Sequence, residues 1–215
     1  MIIETILNLL FPPKCPFCRK VQDAAGICAA CEKTLPRTGE KSLLEEKKST
    51  RCCAPLWYED TVRETLLRLK FGGASALAEP LGEEIARCAA EHFGGEFDIV
   101  TWVPVSRKRL RKRGYDQARL LAEAACRCWE TKPEQLLKKT VDNPAQSGIR
   151  DMAARRANVL GVYETVNRDL FAGKRVLLVD DIRTTGATLE ECVRVLRDAG
   201  AEAVVCTAAA FSRRK

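Results

Sequence analysis

The 215-residue sequence predicts an α/β fold in which a parallel sheet follows a small cysteine-rich segment. Short apolar stretches alternate with helix-like segments after residue 55, which is typical of strands joined by crossover helices. Residues 175–179 (RVLLV) form a continuous apolar run, as in a strand buried on both faces. Six of the eleven cysteines lie before residue 54, where large apolar residues are few. We therefore expect two units, residues 1–55 and 56–215.

The spacing of apolar residues predicts the elements in order. The expected helices cover residues 3–11, 62–69, 77–88, 115–129 and 185–199. Two prolines stop the first of them, and Gly200 closes the last. The expected strands cover residues 98–103, 136–137, 159–166, 175–179 and 203–209.

Composition restricts the class of protein. Hydrophobic residues make up 46% of the chain, which excludes a largely disordered protein. The net charge of +7 favours anionic partners. An odd number of cysteines is unlike a disulfide-bonded secreted scaffold, and no segment reaches the ~18 apolar residues of a transmembrane helix. With no signal-peptide pattern either, we expect a reduced cytoplasmic protein without integral membrane association.

Two CxxC motifs, Cys15-Pro-Phe-Cys18 and Cys28-Ala-Ala-Cys31, stand nine residues apart. Each motif can direct two thiolates at one centre, so together they predict a closed four-cysteine site for one structural Zn²⁺. A redox role or four unliganded thiols are the alternatives.

The remaining cysteines and the single histidine have simpler interpretations. Side chains of the adjacent residues Cys52 and Cys53 should diverge, so we do not expect both on one ion. Five cysteines fall in helix or strand patterns and are expected in the core: Cys88, Cys126, Cys128, Cys192 and Cys206. His92 is expected to be exposed at a helix end and to play no catalytic role.

The most specific motif follows the apolar run and reads Asp180-Asp181-Ile-Arg183-Thr184-Thr185-Gly186-Ala187-Thr188. Ligands of open α/β sheets bind at the carboxyl ends of the strands, where these carboxylates stand. The turn into the next helix offers backbone N–H groups and three hydroxyls to a phosphate, and Gly186 lets the backbone approach it closely. The two carboxylates suit the vicinal hydroxyls of a ribose. A simple helix N-cap would need only one of these residues.

A basic loop is predicted after the strand at 98–103. Six of the seven residues from Arg107 to Arg113 are basic, and such a cluster repels itself unless it meets an anion. A diphosphate, a nucleic acid and a solvated surface are the three interpretations.

At these residues the sequence resembles known families. The stretch VLLVDDIRTTGAT is similar to the phosphoribosyl-pyrophosphate (PRPP) motif of type I phosphoribosyltransferases. With the CxxC pair in front of it, the chain resembles the ComF family of competence-related proteins. Further matches are the segments at 69–73 (LKFGG), 104–106 (PVS), 113–117 (RGYDQ), and Gln146 with 155–158 (RRAN). The sequence departs from the family pattern in two places. The region between the two CxxC motifs and the transferase domain is shortened and lacks the further pair of CxxC motifs that many relatives carry. Residue 116 is Asp116, where the family usually has Asn.

The resemblance implies a type I phosphoribosyltransferase fold, with a Rossmann-like parallel sheet, and a set of site residues. The implied PRPP-binding residues are Asp180, Asp181, Arg183, Thr184, Thr185, Gly186, Ala187 and Thr188. The implied pyrophosphate loop and lid comprise Val105, Ser106, Arg107, Lys108, Gln146, Arg155 and Arg156. Arg109, Arg113 and Arg150 join the two aspartates as catalytic candidates, and Tyr115 and Gln117 are assigned to the acceptor side.

The implied activity is Mg²⁺-dependent transfer of ribose 5-phosphate from PRPP to an unknown nitrogen acceptor. One alternative is a non-catalytic PRPP sensor or adaptor of the DNA-uptake machinery that binds a helicase. Another is direct binding of single-stranded DNA through residues 107–113. The retained acidic pair and lid arginines favour PRPP binding.

Overall fold

The computed structural model describes residues 12–45, 50–143 and 157–213. The strands are β1 Leu43–Leu44, β2 Cys52–Cys53, β3 Leu56–Trp57, β4 Ile99–Trp102, β5 Leu137–Lys139, β6 Tyr163–Thr165, β7 Arg175–Arg183 and β8 Ala203–Phe211. Six of these strands form one sheet in the order β1-β2-β8-β7-β4, with β3 also paired to β8. All its pairs are parallel except β1 with β2. Strands β5 and β6 form a separate antiparallel pair. The predicted parallel sheet is confirmed.

The described helices are α1 Ala29–Thr34, α2 Asp60–Phe71, α3 Ala78–Phe93, α4 Arg107–Arg113, α5 Gln117–Cys128 and α6 Ala187–Asp198. Side chains of β7 alternate between two cores. Leu177 and Val179 pack with residues of α2, α3 and α5, whereas Val176 and Leu178 pack with α6 and the β5–β6 pair. Because successive residues of a strand point to opposite faces, a strand covered on both sides is apolar throughout.

Most predicted elements agree with the observed ones to within a few residues. The clearest difference is β7, which continues to Arg183 because β8 runs beside it as far as the Arg183–Phe211 pair. Gly200 follows the end of α6 with a φ of +105°, a backbone conformation that glycine adopts without strain. The helix expected at 3–11 lies outside the described residues.

The stretch expected as a basic loop is the helix α4. Ser106 caps its first turn, since its Oγ accepts a hydrogen bond from the Arg109 N–H at 3.3 Å. Gly114 ends the helix with a φ of +82°. Helical spacing therefore divides the basic side chains between faces, which a loop would not do.

The cysteines outside the two CxxC motifs follow the predictions with one exception. Cys128 is exposed, so its assignment to the core is wrong: it lies in the last turn of α5, and the buried face of that helix passes through Cys126 instead. The other four cysteines expected in the core are buried. Cys52 and Cys53 face opposite cores, as expected. His92 is half-buried rather than exposed, and its Nε2 lies 2.7 Å from Ser42 Oγ.

The amino-terminal segment shares the large sheet. Strands β1 and β2 precede residue 55 and join the sheet through the pairing of β2 with β8. The division into units 1–55 and 56–215 stays a prediction. A boundary at residue 55 would separate β1 and β2 from the other strands of the same sheet. None of the helices in the described ranges is long and apolar enough to cross a bilayer.

Helices α3 and α5 make close backbone contact at Gly82. A Cβ at this position would overlap the Cβ of Ala124 and approach the nitrogen of Ala125 to 2.9 Å. We expect Gly82→Ala to lower the free energy of unfolding by about 3 kcal/mol through overpacking, although alanine is the better helix former. Equilibrium unfolding in urea measures this effect. Glu83→Ala, an exposed change on the same helix, should stay within about 0.5 kcal/mol, and equal effects of both variants would contradict the prediction.

Candidate functional site

Two adjacent carboxylates, Asp180 and Asp181, lie near the carboxyl end of β7. Asp181 is 6% exposed, and its Oδ2 lies 3.0 Å from Lys70 Nζ and 3.2 Å from Gln117 Nε2. Asp180 Oδ1 accepts a hydrogen bond of 2.8 Å from the Asp181 N–H. Three separate elements, β7, α2 and α5, therefore meet at this pair.

The environment of Asp180 opposes its ionisation. Burial raises the pKa of its carboxyl well above the usual value, and the neighbouring charge of Asp181 raises it further. The positive charge of Lys70 acts in the opposite direction but is outweighed. A ligand that brings a cation or hydroxyl donors to Asp180 would stabilise the ionised form.

The turn between β7 and α6 surrounds a small hollow of about 30 Å³, lined by Thr184, Thr188 and their neighbours. Gly186 has a φ of +87°, so the turn needs glycine for its backbone conformation. The buried Arg183 guanidinium packs beneath it and would lie 3.2 Å from a Cβ at Gly186. Arg183 also lies over the Phe211 ring at 5.8 Å, so it supports the turn from below. Thr185 Oγ1 lies 3.5 Å from the Ala187 N–H in the first turn of α6.

A cavity of about 290 Å³, here named the main cleft, opens beside the acidic pair. Its lining includes four basic residues: Lys70, Arg109, Arg113 and Lys139. They come from α2, α4 and β5, so separate parts of the chain bring cations to one place. Burial, with a smaller effect of the Arg109 charge, lowers the pKa of Lys139 to about 8. The cleft therefore suits a ligand that carries several negative charges.

The two faces of α4 border different cavities. Arg109 and Arg113, four residues apart, line the main cleft. Arg107, Lys108 and Arg111 line a second cavity of about 1150 Å³, here named the outer groove. The basic segment thus faces both the cleft and the solvent side.

The loop before α4 is held in place by hydrogen bonds. The Ser106 hydroxyl donates to Asp142 Oδ1, and Arg109 donates to the Asn143 carbonyl at 2.7 Å. Asp116 is the N-cap of α5 and also accepts a hydrogen bond of 2.9 Å from the Val105 N–H. Burial raises the pKa of Asp116 to about 6. Asp116 therefore fixes Val105 and the start of α5 together, which gives it a structural role.

The two residues assigned to the acceptor side occupy different positions. The Tyr115 hydroxyl donates to the Leu69 carbonyl at 2.6 Å, and its ring lies outside the main cleft. Gln117 is 5% exposed and lines the cleft. Because Gln117 Nε2 binds Asp181, its buried Oε1 is left without a hydrogen-bond partner in the described residues. A ligand with a hydroxyl or N–H donor would satisfy this oxygen.

Sequence reasoning missed two lysines and two further residues at the site. Lys70 and Lys139 carry half of the positive charge in the cleft, and Phe71 and Asn143 are also part of its lining. The segment at 69–73 is a family match, but nothing in its spacing shows that Lys70 pairs with Asp181. The expected lid residues lie outside the described residues: Gln146, Arg150, Arg155 and Arg156.

The four cysteines of the CxxC motifs form one cluster, with all Sγ atoms within 4.8 Å of one another. Cys18 Sγ and Cys28 Sγ are 3.6 Å apart. Tetrahedral zinc with Zn–S bonds of ~2.3 Å separates its sulfurs by about 3.8 Å, so the cluster fits the ion. In the described ranges no other group of three or more His, Cys, Asp or Glu has this arrangement.

The thiols of this cluster cannot all ionise without a metal. Burial opposes ionisation of Cys15, but N–H donors of Cys28, Cys18 and Phe17 outweigh it and lower the pKa of Cys15 to about 6. Burial and hydrogen bonds to the other thiols raise the pKa of Cys31 to about 12. A bound cation would favour all four thiolates.

The first CxxC turn packs directly on α2. Phe17 is buried in the core with α2 and α3. The Pro16 carbonyl accepts hydrogen bonds from Thr65 Oγ1, at 3.2 Å, and from the Arg68 guanidinium. The same helix presents Lys70 to Asp181 two residues later. The cysteine cluster and the main cleft are therefore joined by one helix.

Comparison with known proteins defines the class. A phosphoribosyl transferase domain model matches residues 136–215, and a double zinc ribbon domain model matches residues 6–59. With the parallel sheet and the four-cysteine cluster, the molecule has a phosphoribosyltransferase fold and an amino-terminal zinc ribbon, and Zn²⁺ is the supported ion.

Competence protein ComFC of Bacillus subtilis is 28% identical over 191 residues, which cover 89% of this chain and 74% of that protein. Competence protein ComFC of Streptococcus pneumoniae is 28% identical over 200 residues, which cover 85% of this chain and 86% of that protein. Competence protein F of Haemophilus influenzae is 35% identical over 105 residues, which cover 47% of this chain and 45% of that protein. Over most of its length the chain is therefore similar to competence proteins of the ComF type.

Among solved structures, the glutamine PRPP amidotransferase of B. subtilis is 24% identical, with a TM-score of 0.41. A structure described as the allosteric regulatory enzyme of purine biosynthesis has the same identity and TM-score. The matches cover 66% and 67% of this chain but only 30% of each of those chains.

Removal of zinc is expected to destabilise the whole molecule because the cysteine cluster packs on α2. We expect about one zinc per chain by metal analysis. Chelation, or the substitution Cys18→Ser, should lower the Tm by roughly 10 °C, since several kcal/mol of metal-binding free energy are lost. Calorimetry checks this, with Cys128→Ser as the control at an exposed cysteine. A zinc-free sample that melts at the same temperature would contradict a structural role for the metal.

Proposed function

We propose that this protein binds PRPP with Mg²⁺ in the main cleft and transfers its ribose 5-phosphate to a nitrogen acceptor. The observation that carries the proposal is the convergence of three features around one cavity of about 290 Å³. These features are the acidic pair near the end of β7, the turn with its small hollow after it, and the four cations from three elements.

The ribose 5-phosphate end would occupy the turn. Thr184, Gly186, Ala187 and Thr188 line the small hollow, and the backbone N–H groups at the start of α6 would bind the phosphate there. The ribose hydroxyls would donate to Asp180 and Asp181, and the unpartnered Oε1 of Gln117 offers a further acceptor. The positioning of Gly186 by Arg183 would keep the turn in shape.

The pyrophosphate end would meet the cations of the cleft. Arg109 and Lys139 stand near the loop that contains Val105 and Ser106, and this loop is fixed by Asp116. Mg²⁺ prefers oxygen ligands, and Asp180 fits it because a cation would relieve the cost of its ionisation. When bound, Mg²⁺ would neutralise charge on the pyrophosphate.

The reaction would form a C1–N bond and break the C1–O bond to pyrophosphate. The acceptor nitrogen supplies the electron pair of the new bond, the electron pair of the broken bond leaves with pyrophosphate, and the proton on the nitrogen passes to water. The protein would contribute positioning and neutralisation of the leaving group. The polar stretch 142–158, to which the resemblance assigns the lid residues Gln146, Arg150, Arg155 and Arg156, would exclude water from the activated ribose.

A second candidate is a PRPP sensor or adaptor in DNA uptake, which binds the ligand without turnover. The observation in its favour is the outer face of α4, where Arg107, Lys108 and Arg111 line the outer groove and not the main cleft. Single-stranded DNA or a helicase partner would use this face. The similarity to the competence proteins named above supports a role in DNA uptake.

Calorimetric titration with Mg²⁺ and PRPP tests ligand binding. We expect the wild type to bind, and Asp181→Ala to bind at least about tenfold more weakly because Lys70 and Gln117 lose their partner. Asp98→Ala is the matched control, since Asp98 is an arginine-paired carboxylate at the other end of the sheet. No binding by the wild type, or equal binding by Asp181→Ala, would overturn the proposal. Pyrophosphate release on addition of an acceptor then separates an enzyme from a sensor.

The affinity for PRPP should depend on pH through Lys139. Its pKa of about 8 means that the free cleft holds this charge at pH 7 and loses it by pH 9. We expect the affinity to fall by up to about tenfold over that interval, because the lost cation no longer attracts pyrophosphate. Lys139→Arg keeps its charge and should show no such fall. The same pH profile in both proteins would show that Lys139 does not contact the ligand.

A further inference from the structure

A further pocket of about 430 Å³, here named the side pocket, adjoins the main cleft. It lies between the end of α2 and the carboxyl-terminal half of α4. The two cavities share Lys70, Phe71, Arg109 and Arg113. Lys112 and Tyr115 belong to the side pocket and not to the main cleft. A molecule in the side pocket would therefore reach the cleft without occupying the turn or the Lys139 end.

The side pocket has an aromatic platform. Phe71 is 69% exposed, although a large apolar side chain gains free energy on burial. The guanidinium of Arg113 stacks over its ring at 4.9 Å. Tyr115 is held in place by its hydrogen bond to the Leu69 carbonyl. Exposed aromatic rings and guanidinium planes are surfaces on which a flat ring stacks.

The charges of the side pocket are all positive. Its lining contains two lysines and two arginines but no carboxylate. Lys70 is already paired with Asp181, whereas neither Lys112 nor Arg113 has an ion-pair partner in the described part of the chain. Arg113 is also half-buried, so its charge is poorly compensated by solvent. A neutral ring would leave this charge unbalanced, and an anionic ring would neutralise it.

We propose that the side pocket is the acceptor subsite and that the acceptor is a flat nitrogen heterocycle carrying a carboxylate. The inference rests on the proposed transfer reaction and specifies its substrate class. Phe71 and Tyr115 hold the ring, and Arg113 and Lys112 bind the carboxylate. The ring nitrogen faces the shared border with the main cleft and attacks C1 of the ribose with its lone pair, while the C1–O bond breaks and its electron pair leaves with pyrophosphate. A ring N–H, as in orotate, gives its proton to water, whereas a pyridine nitrogen, as in nicotinate, has no proton to lose and becomes a ring cation.

Two pairs of probes differ in charge but not in ring shape: nicotinate with nicotinamide, and orotate with uracil. Each is titrated calorimetrically into the full chain loaded with ribose 5-phosphate and magnesium pyrophosphate. Pyrophosphate release from PRPP is measured in parallel. We expect at least one carboxylated ring to bind, or to release pyrophosphate, about tenfold or more better than its neutral partner.

Substitutions in the side pocket test whether its residues bind the carboxylated ring. Phe71→Ala and Lys112→Gln should weaken binding of the carboxylated ring about tenfold, because they remove the platform and a cation. Lys112→Gln should leave the affinity for PRPP alone within about twofold. Arg111→Gln, on the other face of α4, is the matched control and should change neither measurement.

The outcomes separate the two proposals. If the wild type does not bind PRPP, the transfer reaction and the acceptor subsite both fail. If PRPP binds and Asp181→Ala abolishes it, the proposed function stands, and the acceptor subsite is judged alone. It is overturned when no carboxylated ring binds, when the neutral partners bind as well, or when Phe71→Ala and Lys112→Gln have no effect.

Discussion

Two adjacent carboxylates at the end of a buried strand impose the main electrostatic constraint on this molecule. A charged group removed from water needs a partner, and two like charges in sequence need more than one. At Asp181 the partners are Lys70, which forms an ion pair, and Gln117, which donates a hydrogen bond. At Asp180 burial and the charge of Asp181 keep the pKa raised instead. The elements that carry these partners must approach the carboxyl edge of the sheet. The cleft is therefore a consequence of how β7 ends.

Local patterns in the sequence predicted the parts of the site that lie close together in the chain. The strand with its acidic pair, the turn through Gly186 and the four cysteines each come from one short segment. Lys70 and Lys139 could not be found in this way, because they reach the cleft from α2 and β5 and their spacing along the chain carries no information about it. The hydrogen bond from Tyr115 to the Leu69 carbonyl depends equally on tertiary packing.

The basic segment shows how secondary structure alters the meaning of a composition signal. Its charges favour an anionic partner, but only a helix assigns Arg109 and Arg113 to one cavity and Arg107 and Arg111 to another. Ser106 and Gly114, which begin and end this helix, therefore determine which charges meet which ligand. The diphosphate and the nucleic-acid interpretations of the basic segment therefore concern different faces of one helix.

The contact of the first CxxC turn with α2 restricts which amino-acid substitutions this chain can accept. The Pro16 carbonyl accepts hydrogen bonds from Thr65 and Arg68, which stand five and two residues before the lysine that faces Asp181. A mutation that shifts the ribbon by an ångström would move that lysine as well, so the two segments cannot drift independently. The ribbon is not a detachable module that could be exchanged for another. Its accepted substitutions should be matched by compensating ones along α2.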